Sequence, residues 1–386
     1  MIHIDFTLVS FMVLVFCFVL FIIQLSYFLG PYSRLYKCNK KQNKLPDNTN
    51  CPPLSVIIVT KDSASVLKEN LPVILEQDYP DFDVIVVNDE SAGEDEDILK
   101  LIETKYHNLY HTFIPKSARY ISRKKLGVAM GIKASRHEWI VLTEPYCKPE
   151  SKNWLRNLAR NFTPDTDIVL GYCNYKPGKG LFAKRIISDL LMNSMRYLGR
   201  AIGKSTYMGI GRNLAFRKDA YEKHKGFSKQ LHLQRGEDDL FINEIATKSN
   251  VKVEVSTDSI VRMPQPEYKR IWNGEKIGYE VTGKLYKGMA RLSNSFETCT
   301  AILFNITTIA CIAYSIISKE WIITAITALL LIIRLSVVMN VLIKTSKAMG
   351  ESIRSFFLIY IILRPIYSLS LKMKYLTRTK TDYMRR

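Results

Sequence analysis

The sequence predicts an α/β protein in which a parallel sheet lies between apolar segments near both ends of the chain. The first observation is a set of three short apolar runs, rich in β-branched residues, that are typical of buried strands. The second is the helical pattern between these runs, since alternating strands and helices form parallel sheets with right-handed crossovers. The third is the length of the terminal apolar segments, which is typical of membrane spans.

The first apolar segment, residues 6–28, is long enough to cross the ~30 Å hydrocarbon core of a bilayer as a helix. Residues 1–5 contain no Lys or Arg, and the apolar run is longer than the core of a cleaved signal peptide. We therefore expect an uncleaved transmembrane anchor at residues 1–30. A basic juxtamembrane linker is expected at residues 31–51, where Pro, Asp and Asn are frequent towards the end.

Three further apolar segments lie near the C-terminus. Residues 299–317 and 321–343 are separated only by a Ser-Lys-Glu tripeptide, which predicts a transmembrane hairpin at residues 297–344. A fourth segment, at residues 356–371, contains Arg364-Pro365 at its middle. We expect this last part, residues 345–386, to be a re-entrant or interfacial segment with a basic tail, and a full span is the alternative.

The distribution of positive charge predicts the orientation of the chain. Basic residues crowd directly after the first span, so the positive-inside rule places the central domain on the cytoplasmic side of the membrane. The formal net charge of +19 is concentrated beside apolar segments, which predicts contact with an anionic membrane surface. No nucleic-acid recognition module is evident, so nucleic-acid binding is not expected. The seven cysteines include no C-x-x-C pair, and no zinc site is predicted.

The soluble domain is expected at residues 52–265, followed by a membrane-interface segment at residues 266–296. Its predicted strands are residues 55–60, 83–88 and 139–143, and its predicted helices include residues 66–75, 97–104 and 125–135. Ligands of parallel sheets bind at the carboxyl ends of the strands. Because those ends carry Asp62, Asp89 and Glu144, the sequence predicts a site there for a nucleotide and a cation.

An acidic turn, Gly236-Glu237-Asp238-Asp239-Leu240-Phe241, provides the candidate catalytic carboxylate. Other stretches of the domain are equally distinctive. They are residues 70–80, 87–91, 209–218, the Lys124-Lys125 pair and Gly131-Ile132-Lys133-Ala134. Together with the acidic turn, these stretches resemble membrane-anchored family-2 glycosyltransferases of bacteria, which have a GT-A fold. The resemblance covers nearly the whole chain and implies a Rossmann-like domain that binds a nucleotide-sugar, with flanking transmembrane helices.

The resemblance implies a donor side built from the strand ends. A UDP- or GDP-type sugar would bind with its nucleoside near Thr60, Asp62 and Asp89. Lys125 would contact the diphosphate as a point charge. Glu144 stands where the family has a D-x-D element that holds Mg²⁺ or Mn²⁺. Here that element has become Thr-Glu-Pro-Tyr-Cys at residues 143–147, so its second acid is a tyrosine, a poor ligand for a hard cation.

The resemblance also implies an inverting displacement on the acceptor side. Asp238 would be the general base for the acceptor hydroxyl, with Glu237 and Asp239 supporting it. Arg212 and Asn213 would line the acceptor side. Taken without the resemblance, the Asp238-Asp239 pair is a common helix start and Arg212 a common structural ion-pair partner. On its own, Asp89 is as consistent with a turn residue as with a donor-binding residue, and Lys125 is consistent with a solvated surface charge.

Two functional hypotheses remain open at the level of sequence. The first is transfer of a sugar to a membrane-associated acceptor, lipid-linked or glycan, in the synthesis of a surface polysaccharide or glycolipid. The Q-x-x-R-W-like element of the family, which helps to close the site over the donor, matches residues 275–279 only by position. If the altered D-x-D element holds no metal, the cations Arg119, Arg123 and Lys125 would balance the charge of the diphosphate. The second is an inactive membrane scaffold. An apolar and basic pattern at residues 181–202 predicts either a membrane-surface helix or a core-packing helix.

Overall fold

A seven-stranded sheet forms the centre of the soluble domain, with the strand order β3-β2-β1-β4-β8-β6-β9. The computed structural model describes residues 8–46, 50–89, 93–115, 117, 121–352 and 357–376. Glu90, Ser91, Arg119 and the basic tail at residues 377–386 therefore lie outside the described residues. The strands of the large sheet are β1 (Leu54–Thr60), β2 (Phe82–Asn88), β3 (Leu109–Phe113), β4 (Trp139–Thr143), β6 (Ile168–Gly171), β8 (Leu214–Arg217) and β9 (Val251–Glu254).

Three short strands make a second sheet in the order β5-β10-β7: β5 (Lys148–Pro149), β7 (Cys173–Tyr175) and β10 (Val261–Met263). The helices of the domain are α3 (Ala64–Leu75), α4 (Glu94–Glu103), α5 (Arg123–Ala134), α6 (Trp154–Ala159), α7 (Gly180–Ile202), α8 (Lys218–Lys223), α9 (Asp239–Ile245) and α10 (Lys269–Gly283). The membrane-proximal helices are α1 (Leu8–Tyr27), α2 (Ser33–Gln42), α11 (Ala290–Ile317), α12 (Trp321–Ala348) and α13 (Phe357–Leu376).

The three strands expected from the sequence are β1, β2 and β4, and they pair in parallel at the centre of the sheet. Their side chains are almost all buried, which explains the continuous apolar runs. Helix α5 packs closely against these strands at Gly131. A side chain would not fit there, because a Cβ atom would lie 2.5 Å from the Ile57 Cγ2 atom of β1. The expectation of an all-parallel sheet is wrong for β8, which runs antiparallel to both β4 and β6.

The remaining strands left little signal in the sequence because they are short or lie at an edge. Edge strand β3 has only one fully buried residue, Leu109, and β7 and β10 have three residues each. Such runs are below the length at which periodicity separates a strand from a loop. The three central strands could therefore be predicted from the sequence, whereas β3, β6, β8 and β9 could not.

Helix α2 replaces the first half of the expected juxtamembrane linker. Its side chains Asn39 and Gln42 are buried and donate hydrogen bonds of 2.7 Å each to the carbonyl oxygens of Val255 and Val253. A π-helical turn at Phe28–Tyr32, with a kink at Gly30, joins this helix to α1. Part of the expected linker is therefore a helix whose side-chain amides bond to the domain, and the Pro- and Asn-rich residues that suggested a linker come after it.

Three stretches are long and apolar enough to cross a membrane by length and composition: Val9–Gln42, Leu292–Ile317 and Trp321–Ala348. They correspond to the expected anchor and hairpin. Helix α13 continues through Pro365 and is not among the three. Helix α7 buries its apolar face in the core, through Ile186, Leu190 and Leu198 among others. The structure therefore favours the core-packing interpretation of residues 181–202.

Candidate active site

The acidic turn before α9 is held at the centre of the domain by three different segments. Asp238 is 8% exposed. Its Oδ2 atom accepts hydrogen bonds from the Gly211 N–H at 3.0 Å and from the Tyr279 hydroxyl at 3.2 Å. Its Oδ1 atom accepts the Asp239 N–H at 2.7 Å. Gly236 has a φ of 108°, a backbone region that favours glycine, so the turn that presents these acids requires that residue.

Helix α10 and the turn after it cover the second acid of this pair. Asp239 is buried, and its Oδ2 atom accepts hydrogen bonds from the hydroxyl groups of Thr282 and Tyr286, the latter at 2.8 Å. Its Oδ1 atom accepts the Leu240 N–H at 2.7 Å. Part of the segment expected at the membrane interface, residues 266–296, therefore packs on the active-site turn. Sequence reasoning missed these hydroxyl groups; the only signal was the position of the altered Q-x-x-R-W-like element.

A lysine joins the acidic turn to the end of β4. The Lys124 Nζ atom lies 2.8 Å from the Glu144 Oε1 atom and 3.0 Å from the Glu237 Oε1 atom. Arg212 approaches Glu144 from the other side, with 3.7 Å between the Nε and Oε2 atoms, and forms a 2.8 Å ion pair with Glu275. The structure thus brings together three of the predicted site residues, Glu144, Glu237 and Arg212. Lys124, for which the sequence predicted no role, connects the two glutamates.

Lys125 has different partners from those that the resemblance implies. Its side chain is 2% exposed, and its ammonium group donates to the carbonyl oxygens of Gln230, Leu233 and Arg235 at 2.6, 2.8 and 2.8 Å. Neighbouring residues on a helix point about 100° apart. Because Lys125 turns into the 230–235 loop, Lys124 is the one that reaches the acids. In this structure the three ammonium hydrogens of Lys125 are used within the protein.

A cleft with an empty volume of about 320 Å³ opens beside these acids. Its charged walls are Lys124, Glu144 and Glu237, and its apolar walls include Ile57 and Leu142 of the central strands. It lies at the carboxyl end of β4, on the side of the sheet where ligands of open α/β folds bind. This position matches the site that the sequence predicted.

The donor-side residues at the ends of β1 and β2 lie together. The Thr60 hydroxyl donates to the Asp95 Oδ2 atom at 3.2 Å, and the Thr60 carbonyl accepts the Asp89 N–H at 2.7 Å. The Asp89 carboxylate forms an ion pair with Arg123. Asp62 is exposed directly after β1 with a positive φ of 47°. The structure therefore gathers the three predicted donor-side residues at one sheet edge and adds Asp95 and Arg123.

Asn213 points into the core. Its Nδ2 group donates to the carbonyl oxygens of Tyr172 and Ser259 at 2.9 Å each, and its Oδ1 atom accepts the Trp154 Nε1–H at 3.0 Å. Gly171 makes room for it, since a Cβ there would come within 2.3 Å of the Asn213 Cγ atom. All three of these hydrogen bonds are made within the core, so this structure gives the Asn213 amide no contact towards an acceptor.

The electrostatics divide the acids into two kinds. Burial raises the pKa of Asp239 to about 7, and the neighbouring Asp238 carboxylate adds to the rise. Burial and the adjacent Glu237 raise the pKa of Asp238 in the same way. Burial also opposes ionisation of Glu237 and Glu144, but the Lys124 ammonium group outweighs it and lowers the pKa of both. The site therefore combines two ionised glutamates with an aspartate pair that is poised to take up a proton.

The side chains present do not fit a divalent-cation site in this arrangement. Glu144 is paired with Lys124, and the second position of the altered D-x-D element is Tyr146, a neutral phenol. In the ranges that the structure describes, no three His, Cys, Asp or Glu side chains converge in a geometry that would hold a metal ion. The expectation that Glu144 alone would hold Mg²⁺ or Mn²⁺ has no further ligand to support it.

Comparison with known proteins identifies the domain. Residues 55–225 match the family described as glycosyl transferase family 2. No curated protein sequence matches the chain. A solved mannosyltransferase, PcManGT from Pyrobaculum calidifontis, in complex with GDP-Man and Mn²⁺, is similar at a TM-score of 0.53 and 18% identity, and the match covers 86% of this chain and 98% of that chain.

A second solved structure is TarS 1-349 from S. aureus in complex with UDP. It has a TM-score of 0.43 and 16% identity, and the match covers 64% of this chain and 70% of that chain. At these identities structural likeness shows the fold, and the TM-score above 0.5 carries that comparison. Residues 55–225 of this chain therefore match glycosyl transferase family 2, the fold is that of a solved glycosyltransferase, and three helices are long and apolar enough to span a membrane.

Proposed function

We propose that this glycosyltransferase moves a sugar from a UDP- or GDP-type donor to an acceptor associated with the membrane. The single observation that carries the proposal is the position of Asp238, a buried carboxylate with a raised pKa beside the cleft at the end of β4. The similar mannosyltransferase was solved with GDP-Man, which supports a nucleotide-sugar as the donor class.

In the proposed reaction, the acceptor hydroxyl oxygen attacks the anomeric carbon of the donor. The bond from that carbon to the diphosphate oxygen breaks, the nucleoside diphosphate leaves, and the hydroxyl proton passes to the Asp238 carboxylate. Hydrogen bonds from the Gly211 N–H and the Tyr279 hydroxyl hold that carboxylate in place. The pKa of Asp238, raised by burial and by Glu237, brings the base closer to neutral pH, where a general base works best.

Charge on the leaving diphosphate must be balanced within the cleft. We assign this role to Lys124, which lines the cleft. Its present partners, Glu144 and Glu237, keep the ammonium group ionised: although burial opposes the charge, these carboxylates raise the pKa of Lys124 well above its ordinary value. A cation that is fixed before the donor binds stabilises developing negative charge without reorganisation.

The acceptor and the location of the reaction follow from the helices that flank the domain. Three stretches can span a membrane, and the positive-inside rule favours a multi-pass protein with its domain on the cytoplasmic face of a bacterial inner membrane. An acceptor carried by that membrane, such as a lipid-linked saccharide or a glycan of the cell surface, would reach the domain without diffusing through the cytoplasm.

Replacing Asp238 with asparagine tests the proposed base. Transfer from radiolabelled UDP- and GDP-sugars to membrane lipid extracts should fall by about 10²–10⁴-fold, because proton transfer in the transition state is lost. Calorimetric titration with UDP and GDP should be unchanged, since Asp238 does not contact the nucleotide in the proposed reaction. The matched control is Asp219→Asn, an exposed carboxylate of α8.

The same titration, made with Mn²⁺ and again with EDTA, tests whether a metal contributes to donor binding. Nucleotide binding that is equal under both conditions agrees with the assignment of the diphosphate charge to Lys124.

Turnover that persists in Asp238→Asn at the level of Asp219→Asn would refute the assignment of the base.

A further inference from the structure

A second cavity lies away from the active site, among the membrane-proximal helices. It is bounded by α1, α7, α11, α12 and α13, and is partly open to the surroundings of the protein. Most of its wall is apolar, but Gln24, Glu297, Arg334 and Arg364 also line it. Ionisable side chains within apolar helices are costly and mark functional sites more often than structural ones.

The cationic charge of this cavity exceeds its anionic charge. Glu297 is already engaged by Arg196, with 3.1 Å between the Nε and Oε2 atoms, and by the Tyr32 hydroxyl. Arg364 lies farther from the same carboxylate, with 3.8 Å between its Nη1 atom and the Oε1 atom. Among the residues that line the cavity, one glutamate therefore stands beside two arginines, Arg334 and Arg364. A buried excess of positive charge is unfavourable unless an anion joins it.

Among the described residues, Arg334 donates hydrogen bonds to neutral side chains only, and one of its nitrogen atoms has no partner. It is 4% exposed. Its Nη1 and Nη2 groups donate to the side-chain oxygens of Asn305 and Gln24 at 3.2 and 3.3 Å. Its Nε atom is buried and has no hydrogen-bond partner among the residues that the structure describes. An unpartnered N–H of a buried guanidinium group on a cavity wall is a donor that lacks its acceptor.

The cluster lies towards the end of the apolar helices that is nearest the α/β domain. At about 1.5 Å per residue, Arg334 lies about 20 Å along α12 from Trp321, and Gln24 lies about 24 Å along α1 from Leu8. In a hydrocarbon core of about 30 Å, both positions fall in the third nearest the α/β domain. Arginine side chains extend from that depth towards the headgroups.

From these observations we propose that the cavity binds the phosphate headgroup of a membrane lipid, with Arg334 and Arg364 as the donors. Guanidinium groups form charge-assisted, often bidentate hydrogen bonds with phosphate oxygens. The apolar remainder of the wall, including Phe28, Met192 and Ile361, accommodates the start of the acyl or prenyl chain. Arg364-Pro365, the interruption in the last apolar segment, is then part of a binding site. This inference goes beyond the proposed sugar transfer and does not depend on it.

Direct binding to the full-length protein in dodecyl maltoside tests the proposal. The probe is dioctanoyl phosphatidic acid, titrated by microscale thermophoresis. Dioctanoylglycerol is the probe without phosphate, and inorganic phosphate and pyrophosphate are the probes without lipid. We expect saturable binding of phosphatidic acid only. Arg334→Gln and Arg364→Gln should each weaken it by about ten- to a hundredfold, the loss of one charge-assisted contact.

Two further variants separate this site from general attraction and from misfolding. Arg200→Gln removes a cation of α7 that bonds to Ser293 and Asn294 outside the cavity lining, and its affinity should stay within about twofold of the wild-type value. Ala301→Phe fills the cavity without changing any charge, and should weaken binding as strongly as the arginine variants while the protein keeps its size-exclusion profile.

Three outcomes would overturn the proposal. Equal affinity of the wild type and the cavity variants would remove the site. An equal loss in Arg200→Gln would reduce the effect to surface charge. Inorganic phosphate or pyrophosphate that binds as tightly as phosphatidic acid would make it a site for free anions. Because binding is measured without turnover, a failed sugar-transfer assay leaves this result unaffected.

Discussion

Replacing Lys125 with methionine decides whether its ammonium group supports the fold or binds the donor. The residue is buried and donates to three backbone carbonyl oxygens of the 230–235 loop. Burial lowers its pKa to about 8, so the group remains largely protonated at pH 7 and keeps its three donors. Methionine has nearly the same length and apolar stem but donates no hydrogen bond, so the substitution isolates the ammonium group.

The expected loss of stability depends on how many hydrogen-bond donors each carbonyl oxygen keeps in the variant. The Gln230 oxygen also accepts the Leu233 N–H at 3.0 Å, so it loses one of two donors. The Leu233 and Arg235 oxygens each lose the Lys125 donor, at about 1–3 kcal/mol per buried group. Relief from burying a charge offsets part of the loss. A net destabilisation of about 3–5 kcal/mol is typical when one partner of a buried charged contact is removed.

Thermal unfolding in detergent measures this difference. For a domain of this size, a loss of about 3–5 kcal/mol lowers Tm by roughly 6 to 20 °C. The matched control is Lys133→Met on the exposed side of the same helix, which should change the free energy of unfolding by less than about 0.5 kcal/mol. An unchanged Tm in Lys125→Met, together with lost binding of UDP and GDP, would refute the reasoning and assign Lys125 to the diphosphate.

Three other perturbations address the core and the base. Asn213→Leu should destabilise the protein by about 2–4 kcal/mol in thermal unfolding, because the Trp154 indole N–H and the Ser259 carbonyl lose the amide that they contact and the Tyr172 carbonyl loses one of two donors; retained stability with lost transfer would instead support an acceptor role. On the acid side, kcat/KM should already fall at a pH above the ordinary range of an aspartate, because burial and the adjacent Glu237 raise the pKa of Asp238 and the base acts when deprotonated. Tyr279→Phe should move this fall in kcat/KM to a pH higher by about 0.5–1 unit, because the Tyr279 hydroxyl stabilises the ionised Asp238 carboxylate and the variant lacks it. An unchanged pH profile would show that this hydrogen bond does not influence the base.

The identity of the domain could be predicted from the sequence because its signals are local. Strands β1, β2 and β4 are continuous apolar runs, and such runs form only where both faces of a strand are buried. The carboxyl ends of parallel strands meet at one edge of a sheet, so Asp62, Asp89 and Glu144 could be placed there without coordinates. The membrane spans likewise follow from length and composition alone.

The partners of individual side chains were decided by tertiary structure. Lys124 and Lys125 are adjacent in an equally basic run, and only the packing of α5 shows which one faces the acids and which one enters the 230–235 loop. Asn213 follows Arg212 directly in the sequence, yet its side chain points in a different direction and is buried in the core. Tyr279 meets Asp238 across 41 positions of sequence.

The two scales differ for a physical reason. Periodicity and composition report which residues leave water, and this is nearly a one-dimensional property of the chain. A hydrogen bond depends on distances of a few tenths of an ångström between atoms on different segments. The sequence by itself therefore determined the fold class, the anchors and the edge of the sheet that carries the site. Tertiary packing alone decided which charges are neutralised there, and that the hydrogen bonds of Arg334 in α12 go to neutral side chains among the described residues.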